Sequence, residues 1–308
     1  MDLGIAEELG RRLAEVKEIS PHLVPILEAM KELSVGGKRL RAMLTILGYQ
    51  ITTGEKTSLL QDENQIIRAA AMMEIFHLGL LIQDDFMDRD ELRRGVKTLI
   101  ARYEDRHTGN FVSMLAGDFT FGWGIEIISN LKFPNSLPAD ATHQALQAGQ
   151  IVEAMKVWGR CFTRVGYGQT LDGLAVADDE TILKILELKS GEYSCVLPLV
   201  MGATLAGADS KIITMLEQYG MELGWVFQLR DDWLAEYGQS DKTGKPVGND
   251  KREGKKSYVT MYGKEATEQA IQDHTRKARS LISGDFDLSG DSRKVMEEIV
   301  TWVGTRES

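Results

Sequence analysis

The segment Gln65 to Gln83 is apolar on almost every face of a helix and holds no proline. A surface helix carries a single apolar stripe, whereas a helix apolar all round must be enclosed by other elements. This segment therefore belongs at the centre of a bundle. Six prolines, at positions 21, 25, 134, 138, 198 and 246, leave long proline-free stretches elsewhere, as helices require. Ile212 to Glu236 is a second long apolar-periodic run, and Asp178-Asp179-Glu180 ahead of Ile182 has the pattern of an acidic helix start. Strand signals are poor: there is no sustained apolar/polar alternation and no Asn-Gly hairpin between β-branched runs. The expectation is one all-α domain over residues 1–308, with about ten helices at typical lengths. Breaks are expected at Val35-Gly36-Gly37, Thr53-Gly54, Phe133 to Pro138 and Gly238 to Gly254.

Composition narrows the function classes. The 308 residues carry 36 Lys+Arg against 46 Asp+Glu, a formal charge of −10. That argues against a nucleic-acid partner, which needs a basic footprint, and against a basic helix lying on an anionic membrane. Hydrophobic content of 43% with 27% charged residues is that of a soluble globular chain. The most apolar stretch, Ala69 to Ile82, includes Glu74 and His77 and falls short of the roughly 20 apolar residues of a spanning helix, so no stable membrane insertion is expected. Cys161 and Cys195 form no CxxC pair, and the start MDLGIAEELGRRL has acids where a signal peptide carries bases. Both features point to a reducing cytoplasm.

Two acidic clusters end long apolar runs. In Asp84-Asp85-Phe86-Met87-Asp88, Asp84 and Asp88 lie four apart, on one helix face, with Asp85 beside them. Like charges at this spacing destabilise a helix, so a compensating cation is expected. Mg²⁺ fits, because it prefers carboxylate oxygens and keeps waters or substrate phosphates as its remaining ligands. The second cluster is Asp231-Asp232, with Glu236 beyond. Acidic pairs more often cap helices or solvate a surface, as at Asp178-Asp179; two clusters that each close an apolar helix weigh against that reading here. Basic groups accompany them: Lys38, Arg39 and Arg41 after Gly36-Gly37, Arg93-Arg94 after the first cluster, and Lys245, Lys255 and Lys256 after the second. Arginine forks and lysine ammoniums suit diphosphate recognition. Carboxylates hold a diphosphate only through bridging metal ions, so the combination points to a diphosphate substrate.

The chain resembles the trans-isoprenyl diphosphate synthases, or polyprenyl synthetases. The likeness runs from Gly36 to about Thr260 through GGKRLR (36–41), DDFMD (84–88) with LRRG (92–95), Gly117-Asp118, GQTLD (168–172), KSGEY (189–193) and FQLRDD (227–232). The resemblance implies an all-α bundle around a deep central cavity, in a homodimer. It implies that Asp84, Asp85 and Asp88 bind two Mg²⁺ ions on the allylic diphosphate, and Asp231, with Asp232 beside it, a third. Arg93 would contact the allylic diphosphate, which Lys245 would also reach, and Lys255 would help close the site. Lys38, Arg41, His77 and Arg94 would hold isopentenyl diphosphate. Lys189, Ser190 and Gln228 would lie beside the developing allylic cation. The sequence departs from the family at Ala235, where a third aspartate is usual, and at Ser190, Lys256-Ser257 and Ala101-Arg102-Tyr103.

Product length is read from the helix before Asp84. In the family, bulky aromatics four and five residues before that aspartate stop elongation at fifteen carbons; here the positions hold Leu80 and Gly79. Phe76 and then Met73 are the next candidates for a floor, each about one 5.4 Å turn deeper. The expected product is geranylgeranyl diphosphate (C20), with C15 or C25 as alternatives. A class I terpene cyclase would share the aspartates and Mg²⁺ but leave Lys38, Arg41 and His77 without a role. A di-iron bundle would use Glu-x-x-His pairs, and the chain has Glu74/His77 and Glu104/His107. A non-catalytic partner of another synthase would not need its aspartates and Arg94.

Overall fold

The computed structural model describes residues 1–54, 59–132, 141–174, 178–238, 257–284 and 288–307, with the backbone alone for 59–64, 141–145 and 147. The fold is all-α. In chain order the elements are α1 (Asp2–Ile19), a 3-10 turn (Pro21–Leu23), α2 (Val24–Leu33), α3 (Leu40–Thr53), α4 (Leu59–Asp88), α5 (Arg106–Ser129), α6 (Ala141–Gly173), α7 (Asp179–Ile185), a π-helix (Leu186–Val196), α8 (Leu197–Leu205) and α9 (Ser210–Tyr237). The helices Tyr258–Tyr262, Lys264–Ile282 and Gly290–Thr305 complete the chain. Lys245 and Lys255, and the expected break at 133–138, lie outside the described residues.

Two compact units are distinguished, Met1–Ile46 with Ser58–Ile151, and Leu47–Thr57 with Val152–Ser308. In the first, α4 packs on α5 and α1. Its residues Ala69 to Met73, Ile75, Phe76, Leu78 and Ile82 are buried, as the all-round apolar pattern requires. Arg12 ties α1 to α5. It is 2% exposed, 2.7 Å from Glu126 and over the Trp123 ring. In the second unit α9 packs on the π-helix and on Lys264–Ile282.

Helix starts follow the capping rules. Asp105, Asp178 and Asp209 accept backbone N–H groups at the starts of α5, α7 and α9. Ser257 forms a capping box with Thr260. Pro25 and Pro198 occupy first turns, where a missing N–H is tolerated.

The chain does contain a hairpin, with Leu92–Arg93 antiparallel to Val96–Lys97. Its turn is Arg94-Gly95 at φ of 52° and 78°. Positive φ at both central residues is the tight-hairpin geometry usually supplied by Asn-Gly; an arginine there hides the signal.

Two stretches, Gln65–Asp88 and Arg106–Ser129, are long and apolar enough to cross a membrane by length and composition. Within the fold 67% of the first window is buried but only 44% of the second. The first is thus a core helix, while α5 keeps an apolar face uncovered.

Candidate active site

In the first unit, α4 ends by presenting Asp84, a third exposed at the side chain, and Asp88, also exposed, from one face. Asp85 turns inward and is 1% exposed. Past Asp88 the chain folds back: the Asp90 N–H donates to the Asp85 carbonyl at 2.9 Å, and Thr98 Oγ1 donates to the Asp90 carbonyl at 2.6 Å. The hairpin thereby returns Arg93 to the helix end. Its Nε donates to Asp85 Oδ1 at 2.8 Å, and its Nη2 stands 2.7 Å from the same oxygen and 4.0 Å from Asp84 Oδ2. Burial pushes the Asp85 carboxyl up from the ordinary range, against the pull of Arg93. Asp85 Oδ2 has no hydrogen-bond partner among the described residues. A buried oxygen left in that state is costly, and a cation or its bound water would satisfy it.

Beside these acids stands a cluster of cations. Gly36 and Gly37 take φ of 79° and 99°, which opens the loop ahead of α3. A Cβ on Gly37 would come within 3.2 Å of Arg94 Nη2, and Arg94 Nη1 donates to the Val35 carbonyl at 3.3 Å. Lys38 is exposed in this loop and Arg41 is buried in the first turn of α3. Glu74, buried on α4, accepts from the Ala42 N–H at 3.1 Å and pairs with Arg39 at 3.6 Å. It thus caps α3 and holds the loop at the same time.

His77 lies one turn beyond Glu74. Burial, then the charges of Arg41, Arg94, Arg93 and Arg39, hold its pKa well below the ordinary 6.5. The folded protein therefore refuses a proton that the unfolded chain accepts below about pH 6.5. Stability is full above that pH and declines as pH falls toward the lower folded value. A His77→Gln variant should show a flatter fall in Tm between pH 7 and 5 than the parent protein; parallel curves would contradict this.

The product-length positions are also placed. Phe76 and Met73 are buried and Leu80 is half-buried. The space beside Gly79 is not open: a Cβ there would stand 2.0 Å from Thr120 Oγ1 of α5, and that hydroxyl donates to the Gly117 carbonyl at 2.7 Å. Gly79 is therefore a packing contact. Gly79→Ala should cost about 1–3 kcal/mol by overpacking, measured by thermal denaturation, and Thr120→Ala should restore part of it. One turn on, Gly117 leaves room for the Gln83 amide, which donates to the Met114 carbonyl and to Asp118 at 3.2 and 3.3 Å.

In the second unit the π-helix carries Lys189 and Ser190. Such widened turns recur at functional sites, and here glycines let neighbours press on it. A Cβ on Gly224 of α9 would meet the Gly191 Cα at 2.4 Å, and one on Gly168 of α6 would meet Leu188 at 2.9 Å. Lys189 Nζ is 2.5 Å from Asp172, the last residue of GQTLD. Ser190 Oγ donates to Gln228 Oε1, and Gln228 Nε2 donates to Asp232 Oδ1 at 2.8 Å. The Tyr258 N–H closes the chain on Asp232 Oδ2 at 3.2 Å. Asp231 is 41% exposed and pairs with Arg306 at 2.6 Å.

The structure thus groups Arg41, His77, Arg93 and Arg94 in one unit and links Lys189 to Asp172, and Ser190 to Gln228 and Asp232, in the other. Sequence reasoning missed Arg306 as a neighbour of these groups and named Arg39, Asp118 and Asp172 only within their motifs, with no contact assigned. The GQTLD motif contained a signal for Asp172; nothing in the local sequence marks Arg306. Among the described residues no three acidic, His or Cys groups surround a common point as a metal cage. Glu104 and His107 are exposed at the start of α5, and Glu74 is committed to Arg39 and α3, so the di-iron arrangement is not formed.

The polyprenyl synthetase profile matches residues 24–299. The chain belongs to the polyprenyl synthetase family. Members of this family of prenyltransferases include a geranylfarnesyl diphosphate synthase of Aeropyrum pernix, 35% identical over 83% of this chain and 79% of that enzyme. A farnesyl diphosphate synthase of Haemophilus influenzae is 32% identical over 94% and 92%. A geranylgeranyl pyrophosphate synthase of Corynebacterium glutamicum, solved with isoprenyl diphosphate and magnesium, superposes with a TM-score of 0.83 at 24% identity, covering 99% of this chain and 97% of that one. That likeness shows the shared polyprenyl synthetase fold. Products differ among these relatives, so membership alone leaves chain length undecided.

Proposed function

We propose that this polyprenyl synthetase condenses isopentenyl diphosphate with an allylic diphosphate, with Mg²⁺, and releases mainly geranylgeranyl diphosphate. The observation that carries the reading is the end of α4: outward-facing Asp84 and Asp88 adjoin a cluster of arginines around a histidine whose pKa is held below its ordinary value. Hard carboxylate oxygens and the Asp85 Oδ2 left without a hydrogen-bond partner among the described residues fit Mg²⁺, an ion that takes its other ligands from water or a substrate diphosphate. When bound, Mg²⁺ neutralises the departing diphosphate.

The chain's own groups do the rest. Asp84 and Asp88 are the outward donors, and Asp85 acts through Arg93, fixing its guanidinium for the allylic diphosphate. Lys38, Arg41, His77 and Arg94 hold isopentenyl diphosphate; a neutral His77 donates one hydrogen bond there without adding a fourth positive charge. Ser190, Gln228 and Lys189 set dipoles and charge beside the allylic carbon as it ionises, an electrostatic contribution to the transition state. The isopentenyl double bond then attacks that carbon, and the proton lost in elimination passes to the released pyrophosphate. Asp231 and Asp232 serve a further ion; the family resemblance assigns Lys245 to the allylic diphosphate and Lys255 to closing the site, and both lie outside the described residues. Phe76 and Met73 form the floor that ends elongation.

The deciding experiment supplies isopentenyl diphosphate with each allylic primer, with and without Mg²⁺, and identifies products by chromatography. The C20 diphosphate in the presence of Mg²⁺ is expected. No pyrophosphate release under any condition would overturn the reading, turnover without isopentenyl diphosphate would indicate a cyclase, and a Phe76→Ala variant making no longer product would remove Phe76 as the floor.

A homodimer belongs to the same proposal. Phe111, Met114, Leu115 and Ile125 of α5 are 37–45% exposed at helical spacing, a stripe of the kind that marks an interface. Phe111→Glu with Leu115→Glu should convert a dimer to a monomer in light scattering; an unchanged mass would move the interface elsewhere.

A further inference from the structure

The C-terminal half of α9 and the residue after the helix Gly290–Thr305 meet in one ion pair. Arg306 follows the helix Gly290–Thr305, and its Nη2 stands 2.6 Å from Asp231 Oδ1. The same nitrogen donates to the Phe227 carbonyl at 3.0 Å, and the guanidinium lies 4.4 Å over the Phe227 ring. The Arg306 carbonyl accepts from Arg230 Nε at 2.8 Å, and its N–H donates to the Trp302 carbonyl at 3.0 Å. The side chain is only 4% exposed. An exposed arginine gains little from a carboxylate, because water and side-chain freedom compete. This one is already ordered by packing and by its backbone, so its charge is held in place.

Position 235 is Ala, so no carboxylate stands one turn beyond Asp231. Asp232 is buried and accepts from Gln228 and from the Tyr258 N–H. Asp231 is left as the outward acid of the pair, and the chain itself sets a cation against it.

We propose that Arg306 is an internal counter-cation for Asp231: it holds one oxygen of that carboxylate and weakens the draw of the second aspartate pair on a divalent ion, so that part of the positive charge at this pair comes from the protein. The inference rests on the family reading of Asp231 as a metal carboxylate and adds a residue to it.

The probe is Mn²⁺ alone, titrated into the full chain and followed by electron paramagnetic resonance. Arg306→Gln should tighten the binding that depends on Asp231 by on the order of tenfold, a common size for coupling between competing ligands. Arg306→Lys, which keeps the charge, should bind as the parent does. In an Asp231→Asn background Arg306→Gln should change nothing, which isolates the pair. Hydrogen exchange in Asp231→Asn, read without metal, should speed up in the C-terminal peptide 301–307. Equal Mn²⁺ affinity in the parent and a folded Arg306→Gln protein would overturn the proposal, as would an Arg306→Lys protein that behaves like Arg306→Gln. If Arg306→Gln does not fold, unchanged exchange in Asp231→Asn overturns it by itself. A parent protein that binds Mn²⁺ in this pattern yet transfers no prenyl group would defeat the proposed function and leave the counter-cation in place.

Discussion

Replacing Asp84 or Asp88 with asparagine is expected to cut kcat/KM for prenyl transfer by about 10³-fold, the size of losing one well-placed electrostatic group at a transition state. The two are one turn apart on the exposed end of α4, and both are more exposed than Asp85, which is buried against Arg93. Asparagine keeps the shape and removes the charge that draws a cation. Stability should change little or rise, because like charges at i, i+4 repel. Steady-state kinetics at saturating Mg²⁺, paired with a thermal melt, separates the two effects. An Asp84→Asn enzyme with undiminished kcat/KM would show that the first cluster is only a solvated helix end.

Arg93→Ala is expected to destabilise the fold by about 3–5 kcal/mol, since it strands the buried Asp85 carboxylate without its partner. The loss should appear in urea denaturation as a lower midpoint with an unchanged slope. Asp85→Asn combined with Arg93→Leu should recover much of the stability, because removing both charges removes the desolvation cost, but it should not recover activity. A stable double variant with full turnover would show that Arg93 serves only the hairpin. The same ion pair thus connects folding to function: the hairpin that buries Asp85 also aims the guanidinium at the site.

The all-α class was legible because its signal is local. The apolar run of α4 and the caps Asp178 and Asp209 depend on residues a few positions apart, and helical periodicity is written at that range. The motifs were legible for a related reason: paired aspartates on one helix face follow from a spacing of four. The hairpin at 92–97 was missed because Arg94 occupies the left-handed turn position where Asn is the usual marker. Gly79 was read as relief from a cavity floor, whereas Thr120 fills the space beside it; a neighbour 41 positions away in the chain leaves no trace in local spacing.

The helices, the polyprenyl synthetase motifs and the residue types at the site could all be read along the chain, since each depends on chemistry within one or two turns. Which acid points outward and which is buried came from the tertiary fold: a spacing of four puts Asp84 and Asp88 on one face but does not say which face is exposed, and the return of Arg93 against Asp85 settles it. Only the tertiary structure showed that Arg306 stands against Asp231, 75 positions apart in sequence. Charge pairing and burial depend on what folding brings together, and a carboxylate takes its role from the cation that reaches it.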